Sequence, residues 1–176
     1  VRLVEGYGLT ESSGVVSTNP YEAQRKNGTI GQVLPQTRLL LLDKEDETTL
    51  APEGEPGELA IHGPQIMQGY LNDPNRTAKA LHVIDGHRWY ITGDKGFIDE
   101  DGFLTLIDRY ARFAKIGGEM ISLSVVETVV QAALEDIDTA LMAVNIPDSR
   151  KGERIVLLSE TALDAKTVKA TMLANG

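Results

Sequence analysis

The stretch RWYITGDKGFIDEDGFLTLIDRYARFAKIGGEMISLSVV, residues 88–126, decides how this chain is read. It holds an aromatic-led turn that ends in an acid, Tyr90-Ile91-Thr92-Gly93-Asp94. Asp99-Glu100-Asp101-Gly102 then makes a tight hairpin turn, with Gly102 able to take positive φ. A strand ending in Asp108-Arg109 follows, and then the pair Gly117-Gly118, with Lys115 two residues before it. Acid, base and glycine turn recur in one compact segment between strands that can hold them rigid. A polyhydroxyl, polyanionic ligand such as a nucleotide requires that combination.

Upstream of this stretch the chain reads as short strands and glycine turns. Residues 28–33 and 37–43 have strand character, the second nearly all aliphatic. Residues 44–55 are charged and punctuated by Pro52 and Gly54, a surface loop. Gly57-Glu58-Leu59-Ala60-Ile61-His62-Gly63 alternates, with Leu59 and Ile61 on one face and Glu58, Ala60 and His62 on the other. Asp73-Pro74 opens a helix over residues 76–83, the acid capping and the proline in the first turn. Residues 89–92 and 96–98 read as two short strands, with Asp94 following a glycine at a strand end, and 103–107 returns as a third. This pattern predicts a distorted antiparallel β-barrel or sandwich.

Downstream the pattern changes to alternating strand and helix. Ser124-Val125-Val126-Glu127 has the form of a capping box. Val125, Val126, Val129, Val130, Ala133, Leu134 and Ile137 fall on one helical face. Strands are expected over 139–146 and 154–159, and a last helix from Asp164 with Val168 and Met172 one turn apart. The fold class is therefore mixed: a barrel subdomain in residues 1–109, then a small α+β domain in residues 110–176.

Bulk properties exclude several classes. The chain is 176 residues, 41% hydrophobic and 24% charged, an ordinary globular composition able to bury a core. Its net charge of -9 repels a phosphate backbone, so no nucleic-acid partner is expected. With no cysteine, neither disulfides nor thiolate metal sites can form, which fits a cytosolic setting. The aliphatic runs are far too short to span a bilayer. The absence of an initial Met, with a glycine turn arriving at once, points to an excised piece of a longer protein.

Each candidate group has a functional and a plain structural reading. Asp94 can accept two hydrogen bonds from vicinal ribose hydroxyls, or bond its own turn. Arg109 can grip ribose or phosphate oxygens in a fork, or form a surface pair with Asp108 or Asp101. In Gly6-Tyr7-Gly8-Leu9-Thr10-Glu11, glycine-exposed amides and hydroxyls suit phosphate. There Glu11 can ligate magnesium or be a solvated loop acid, and Tyr7 can stack on a base or sit in the core. Gly117 and Gly118 allow close backbone approach of a thin substrate arm, or simply turn the chain. His62, His82 and His87 lack metal-ligand spacing.

Four stretches in order resemble the adenylate-forming enzymes: acyl-CoA synthetases, peptide-synthetase adenylation domains and luciferase. They are Gly6-Tyr7-Gly8-Leu9-Thr10-Glu11; Gly57 to Gly63 running on to Gly69-Tyr70; Tyr90 to Asp94; and Asp108-Arg109 to Gly117-Gly118-Glu119. Within that family, Arg112-Phe113-Ala114 and Lys115 to Ser122 are most similar to the bacterial acyl-acyl-carrier-protein synthetases fused to 2-acylglycerophosphoethanolamine acyltransferase.

The resemblance implies roles. Tyr7 flanks adenine, Gly8 and Thr10 serve the phosphates, and Glu11 helps to hold magnesium. Asp94 holds the ribose, assisted by Arg109, and Gly117 and Gly118 line the phosphopantetheine path. It implies ATP and magnesium as cofactors. A carboxylate attacks ATP to give acyl-adenylate, a thiol then forms the thioester, and the small domain rotates between the two steps. The implied partners are a fatty acid, acyl carrier protein or CoA, and a lysophospholipid. The implied setting is the cytoplasmic face, with an inner-membrane association of the parent. The family's Ser/Thr/Gly-rich phosphate loop is expected before Val1 and its catalytic Lys after Gly176, so this chain alone is expected to make no acyl-adenylate. The hinge position, usually Asp or Lys, holds Ala111, and Met120 stands where many relatives are polar or basic. Two other readings remain: a non-catalytic module that docks a carrier protein or partner, and an amino-acid-activating adenylation domain.

Overall fold

The computed structural model describes residues 3–44, 46, 48–134, 139–164, 166 and 168–170. The chain divides into two compact units, residues 1–107 and 108–176. The architecture is mixed, with a curled antiparallel sheet forming a half-barrel and a small α/β unit.

In the first unit, β1 (Gly6–Leu9), β2 (Gly14–Thr18) and β3 (Gln32–Val33) form a three-stranded sheet. A five-stranded sheet has the order β4 (Arg38–Leu42), β5 (Gly57–His62), β7 (His87–Ile98), β6 (Leu81–Ile84), with β8 (Leu104–Arg109) also paired to β7. The two sheets are tied where Ile30 N–H donates to Leu104 O and Leu104 N–H donates to Gly31 O, both at 2.8 Å. The alternation expected in β5 is present. Leu59 and Ile61 pack with Tyr7, Val16, Ile66, Tyr90 and Leu104 in one core cluster. Ala60 faces the other way, into a cluster with Leu42, Trp89 and Ile91. Both faces of this strand are covered, and each fully buried Leu or Ile contributes about 1.5–3 kcal/mol.

Three local expectations are revised in this unit. The strand anticipated over 28–33 survives only as β3, because Gly28 and Gly31 take φ of 79° and 78°, outside strand geometry. The two short strands anticipated over 89–92 and 96–98 are one twelve-residue strand, β7. A register shift against β5 between Glu58 and Ala60 absorbs the irregularity, so Asp94 lies within the strand and not at its end. The helix α1 (Pro74–Ala80) has the expected cap, Asp73 Oδ1 accepting from Arg76 N–H at 2.9 Å. It stops three residues short of the anticipated end, and Leu81 begins β6.

In the second unit, β9 (Phe113–Ile116), β10 (Glu119–Ser122), β11 (Leu141–Asp148) and β12 (Gly152–Ser159) form a sheet of order β10-β9-β12-β11. Helix α2 (Leu123–Leu134) covers it, with Leu123, Val126 and Val130 packed against Ala114, Ala143 and Val168. The capping box read at Ser124 and Glu127 is not formed. Ser122 Oγ, two residues earlier, accepts from Val125 N–H at 3.3 Å. Glu127 is used across the fold instead: Oε1 accepts from Ala143 N–H at 2.7 Å and Oε2 from Arg112 at 2.6 Å. Val125, assigned to the buried face, is 59% exposed; the buried stripe runs through Leu123, Val126 and Val130. The Ala133 side chain, Ile137 and Met172 lie outside the described residues. Among the described residues, no helix is long and apolar enough to cross a membrane.

Candidate functional site

The first unit gathers most of the singled-out residues. Chain reversal from β1 to β2 goes through a one-turn 3-10 helix, Thr10–Ser12. Ser12 closes it: Leu9 N–H donates to Ser12 Oγ at 3.1 Å, and that hydroxyl donates to Gly14 O at 2.7 Å. Gly8 is dictated by space, since a Cβ there would lie 2.4 Å from the Gly14 carbonyl oxygen. Thr10 is exposed on the turn and Glu11 is half-buried.

Tyr7 reaches from β1 into the core, where its ring joins the Val16 and Leu59 cluster. Its hydroxyl donates to Asp94 Oδ2 at 2.5 Å. Asp94 is only 4% exposed, and its own N–H donates to Thr92 Oγ1 at 3.0 Å. Burial and the Asp94 carboxylate both push the Tyr7 hydroxyl far above its ordinary range, so it stays a donor. On the turn, Glu11 Oε1 accepts from the Tyr70 hydroxyl at 2.8 Å. Tyr90 packs in the same core cluster as Tyr7. Its hydroxyl is raised by burial first, then by bonding to Tyr70 and by the charges of Glu11 and Asp94. Two phenols thus each hold one carboxylate, Tyr7 the buried Asp94 and Tyr70 the half-buried Glu11.

The remaining candidates belong to the second unit. Arg109 is exposed at the end of β8, its N–H donating to Asp108 Oδ1 at 2.8 Å. Gly117 and Gly118 form the β9–β10 turn with φ of 61° and 97°, and a Cβ on either would meet open space. Gly117 N–H donates to Lys151 O at 3.0 Å. Ala111 is exposed in a short 3-10 turn, Tyr110–Arg112, and Met120 is 53% exposed. The Nδ1 of His62 lies 2.9 Å from Arg88 O, and its ring packs on Trp89.

Residue by residue reading missed Tyr70 as a partner of Glu11 and the hydroxyl bond from Tyr7 to Asp94. These pairs are separated by 59 and 87 residues, and no local pattern links them. Position in the ordered motifs was the only signal, since Tyr70 closes the second and Tyr90 opens the third.

Residues 1–71 match the AMP-binding enzyme family. The long-chain-fatty-acid–CoA ligase of Escherichia coli O6:H1 is 37% identical over 153 residues, 87% of this chain. This chain belongs to the AMP-binding enzyme family, the adenylate-forming enzymes. The Bacillus subtilis long-chain-fatty-acid–CoA ligase is 38% identical over 156 residues, 88% of the chain. Both alignments cover 26% of the relative, so the chain spans about a quarter of the length of these curated relatives. Among solved structures, ATP-bound MatB from Rhodopseudomonas palustris aligns with a TM-score of 0.79 at 25% identity, covering 98% of this chain and 34% of that one. O-succinylbenzoate coenzyme A synthetase from Bacillus subtilis in complex with AMP aligns with a TM-score of 0.72 at 25% identity, covering 97% and 34%.

Magnesium, which the family implies, can be tested against the donor set present. Among the described residues there is no group of three or more His, Asp or Glu side chains able to cage a metal. Magnesium in nucleotide sites needs none: one or two carboxylates and the substrate phosphates suffice. Glu11, with one oxygen fixed by Tyr70 and the carboxylate half-buried on the turn, fits that single-carboxylate role.

Proposed function

We propose that this chain is the nucleotide-gripping part of a ligase that activates a fatty acid with ATP and passes the acyl group to a thiol. The observation that carries the reading is the pair of carboxylates, Glu11 and Asp94, fixed by tyrosine hydroxyls within one unit. Glu11 holds magnesium, which neutralises charge on the triphosphate when bound. Asp94, kept in place by Tyr7, accepts from the ribose hydroxyls. Thr10 and the backbone at Gly8 serve the phosphates, and Arg109 supplies a fork of donors to the sugar. Gly117 and Gly118, open on their Cβ side, line the passage of the phosphopantetheine arm.

Residues 1–109 form the end of the large domain in this reading, and 110–176 the start of the small one. The substrate class follows the long-chain-fatty-acid–CoA ligase relatives, whose names support CoA as the acceptor. The finer reading, an acyl carrier protein acceptor with onward transfer to a lysophospholipid, rests on the resemblance of Lys115 to Ser122 alone.

The test is pyrophosphate release by the full-length polypeptide that contains this chain, with ATP and a long-chain fatty acid. Thioester formation is then followed with CoA and with holo acyl carrier protein side by side. Fatty-acid-dependent release that is lost in D94A is expected, and its absence in the unaltered polypeptide overturns the reading. This chain by itself is expected to release none above blank.

A further inference from the structure

We propose that Tyr70 is a positioning residue that aims the Glu11 carboxylate; the proposal rests on the reading of Glu11 as the magnesium carboxylate. A glutamate on a one-turn 3-10 helix has three free torsions, and ordering such a side chain costs rotamer entropy. Two contacts from the segment after β5 remove that freedom. Met67 N–H donates to Glu11 O at 2.8 Å and fixes the backbone. Tyr70 Oη donates to Glu11 Oε1 at 2.8 Å and fixes the carboxylate. A third tie, Ser13 Oγ to Gln65 O at 3.0 Å, laces the same segment to the next residues of the turn.

Tyr70 is itself over-determined. Its N–H donates to Thr77 Oγ1 at 2.8 Å, and that hydroxyl donates to Asp73 O at 2.9 Å, in the cap of α1. The Arg76 guanidinium lies 3.8 Å from the centre of the Tyr70 ring. Arg76 N–H is in turn the group that Asp73 caps. The start of α1 therefore clamps the ring, and the ring clamps the carboxylate. A phenol donating to a charged oxygen is among the stronger hydrogen bonds. Groups that orient a metal's ligand commonly carry about 10–100-fold of its affinity without touching the metal.

The experiment is calorimetric titration of the full-length polypeptide with a non-hydrolysable ATP analogue, with and without magnesium, with melting temperatures measured in parallel. Y70F keeps the ring and its stacked cation and deletes the hydroxyl, with its bond to Glu11 and its interaction with Tyr90. It is expected to weaken binding about tenfold in magnesium, to leave magnesium-free binding unchanged, and to lower the melting temperature by a few degrees without loss of the folded state. R76Q, which loosens the ring, is expected to weaken magnesium-dependent binding about threefold.

E11Q separates the two layers of the argument. If E11Q retains the full gain from magnesium, the reading of Glu11 falls and the proposal with it. If E11Q loses the gain and Y70F keeps it, the role of Tyr70 alone is overturned. Equal weakening of Y70F with and without magnesium marks a merely structural tyrosine and also overturns it. Should Y70F fail to fold, an unchanged magnesium gain in R76Q overturns the proposal.

Discussion

Replacing Tyr7 with Phe isolates the hydroxyl bond that connects β1 to β7. The ring stays in the cluster of Val16, Leu59 and Ile61, so the hydrophobic contribution is conserved. What is lost is one phenol donating to a carboxylate, with Tyr7 9% and Asp94 4% exposed. A hydrogen bond to a charged partner contributes about 1.5–3 kcal/mol, because its loss leaves buried charge short of a donor. Taking about 2 kcal/mol and a urea slope of about 2 kcal/mol/M, the midpoint falls by about 1 M. The assay is urea unfolding followed by fluorescence of Trp89, the one tryptophan, buried at 2% in the same unit. D94N keeps an acceptor oxygen and is expected to cost less than Y7F. The double variant is expected to fall short of the sum by about 1 kcal/mol, as for side chains in contact. A Y7F midpoint within about 0.2 M of the parent, at unchanged slope, refutes the reasoning.

Three further outcomes are expected. Tyr7 and Tyr90 are held protonated above the ordinary 10.0, so the folded chain keeps protons that the unfolded chain sheds. Their stabilisation is complete below pH 10.0 and lost as pH rises past it, so tyrosinate absorbance is expected to lag and then jump at alkaline unfolding; smooth titration of all five tyrosines contradicts this. Asp108 is pushed up by burial but more than offset by Ser124, Ser122, the Arg109 N–H and the Arg112 charge, leaving it below 3.8. Its contribution is present above that value and lost as pH falls through the folded-state value, so the protection factors of amides in β9–β12, relative to the intrinsic exchange rate, are expected to fall in acid, with D108N flattening the dependence. G8A drives a Cβ to 2.4 Å from the Gly14 carbonyl oxygen, and splaying the β1–β2 hairpin is expected to cost about 1–3 kcal/mol, read as a lower urea midpoint; an unchanged midpoint shows that the hairpin yields freely.

Local chemistry made a large part of this molecule legible from its amino-acid order. The alternation of Leu59 and Ile61 against Ala60 located β5 because a strand's period of two is written in consecutive residues. Asp73-Pro74 marked the start of α1 because capping involves only the next three residues. Four ordered motifs carried the family, since their order and residue types need no coordinates.

What only the tertiary structure decided lies in partners distant along the chain. Ser124 and Glu127 satisfy the local rule for a capping box, yet Arg112 and the Ala143 N–H draw Glu127 away and the cap falls to Ser122. A hydrogen bond across the fold is worth as much as one within a helical turn, so spacing alone cannot choose between them. The same holds at the candidate site. Tyr7, Tyr70, Asp94 and Glu11 were visible as residue types, but which phenol holds which carboxylate depends on strands that meet only after the sheet has curled.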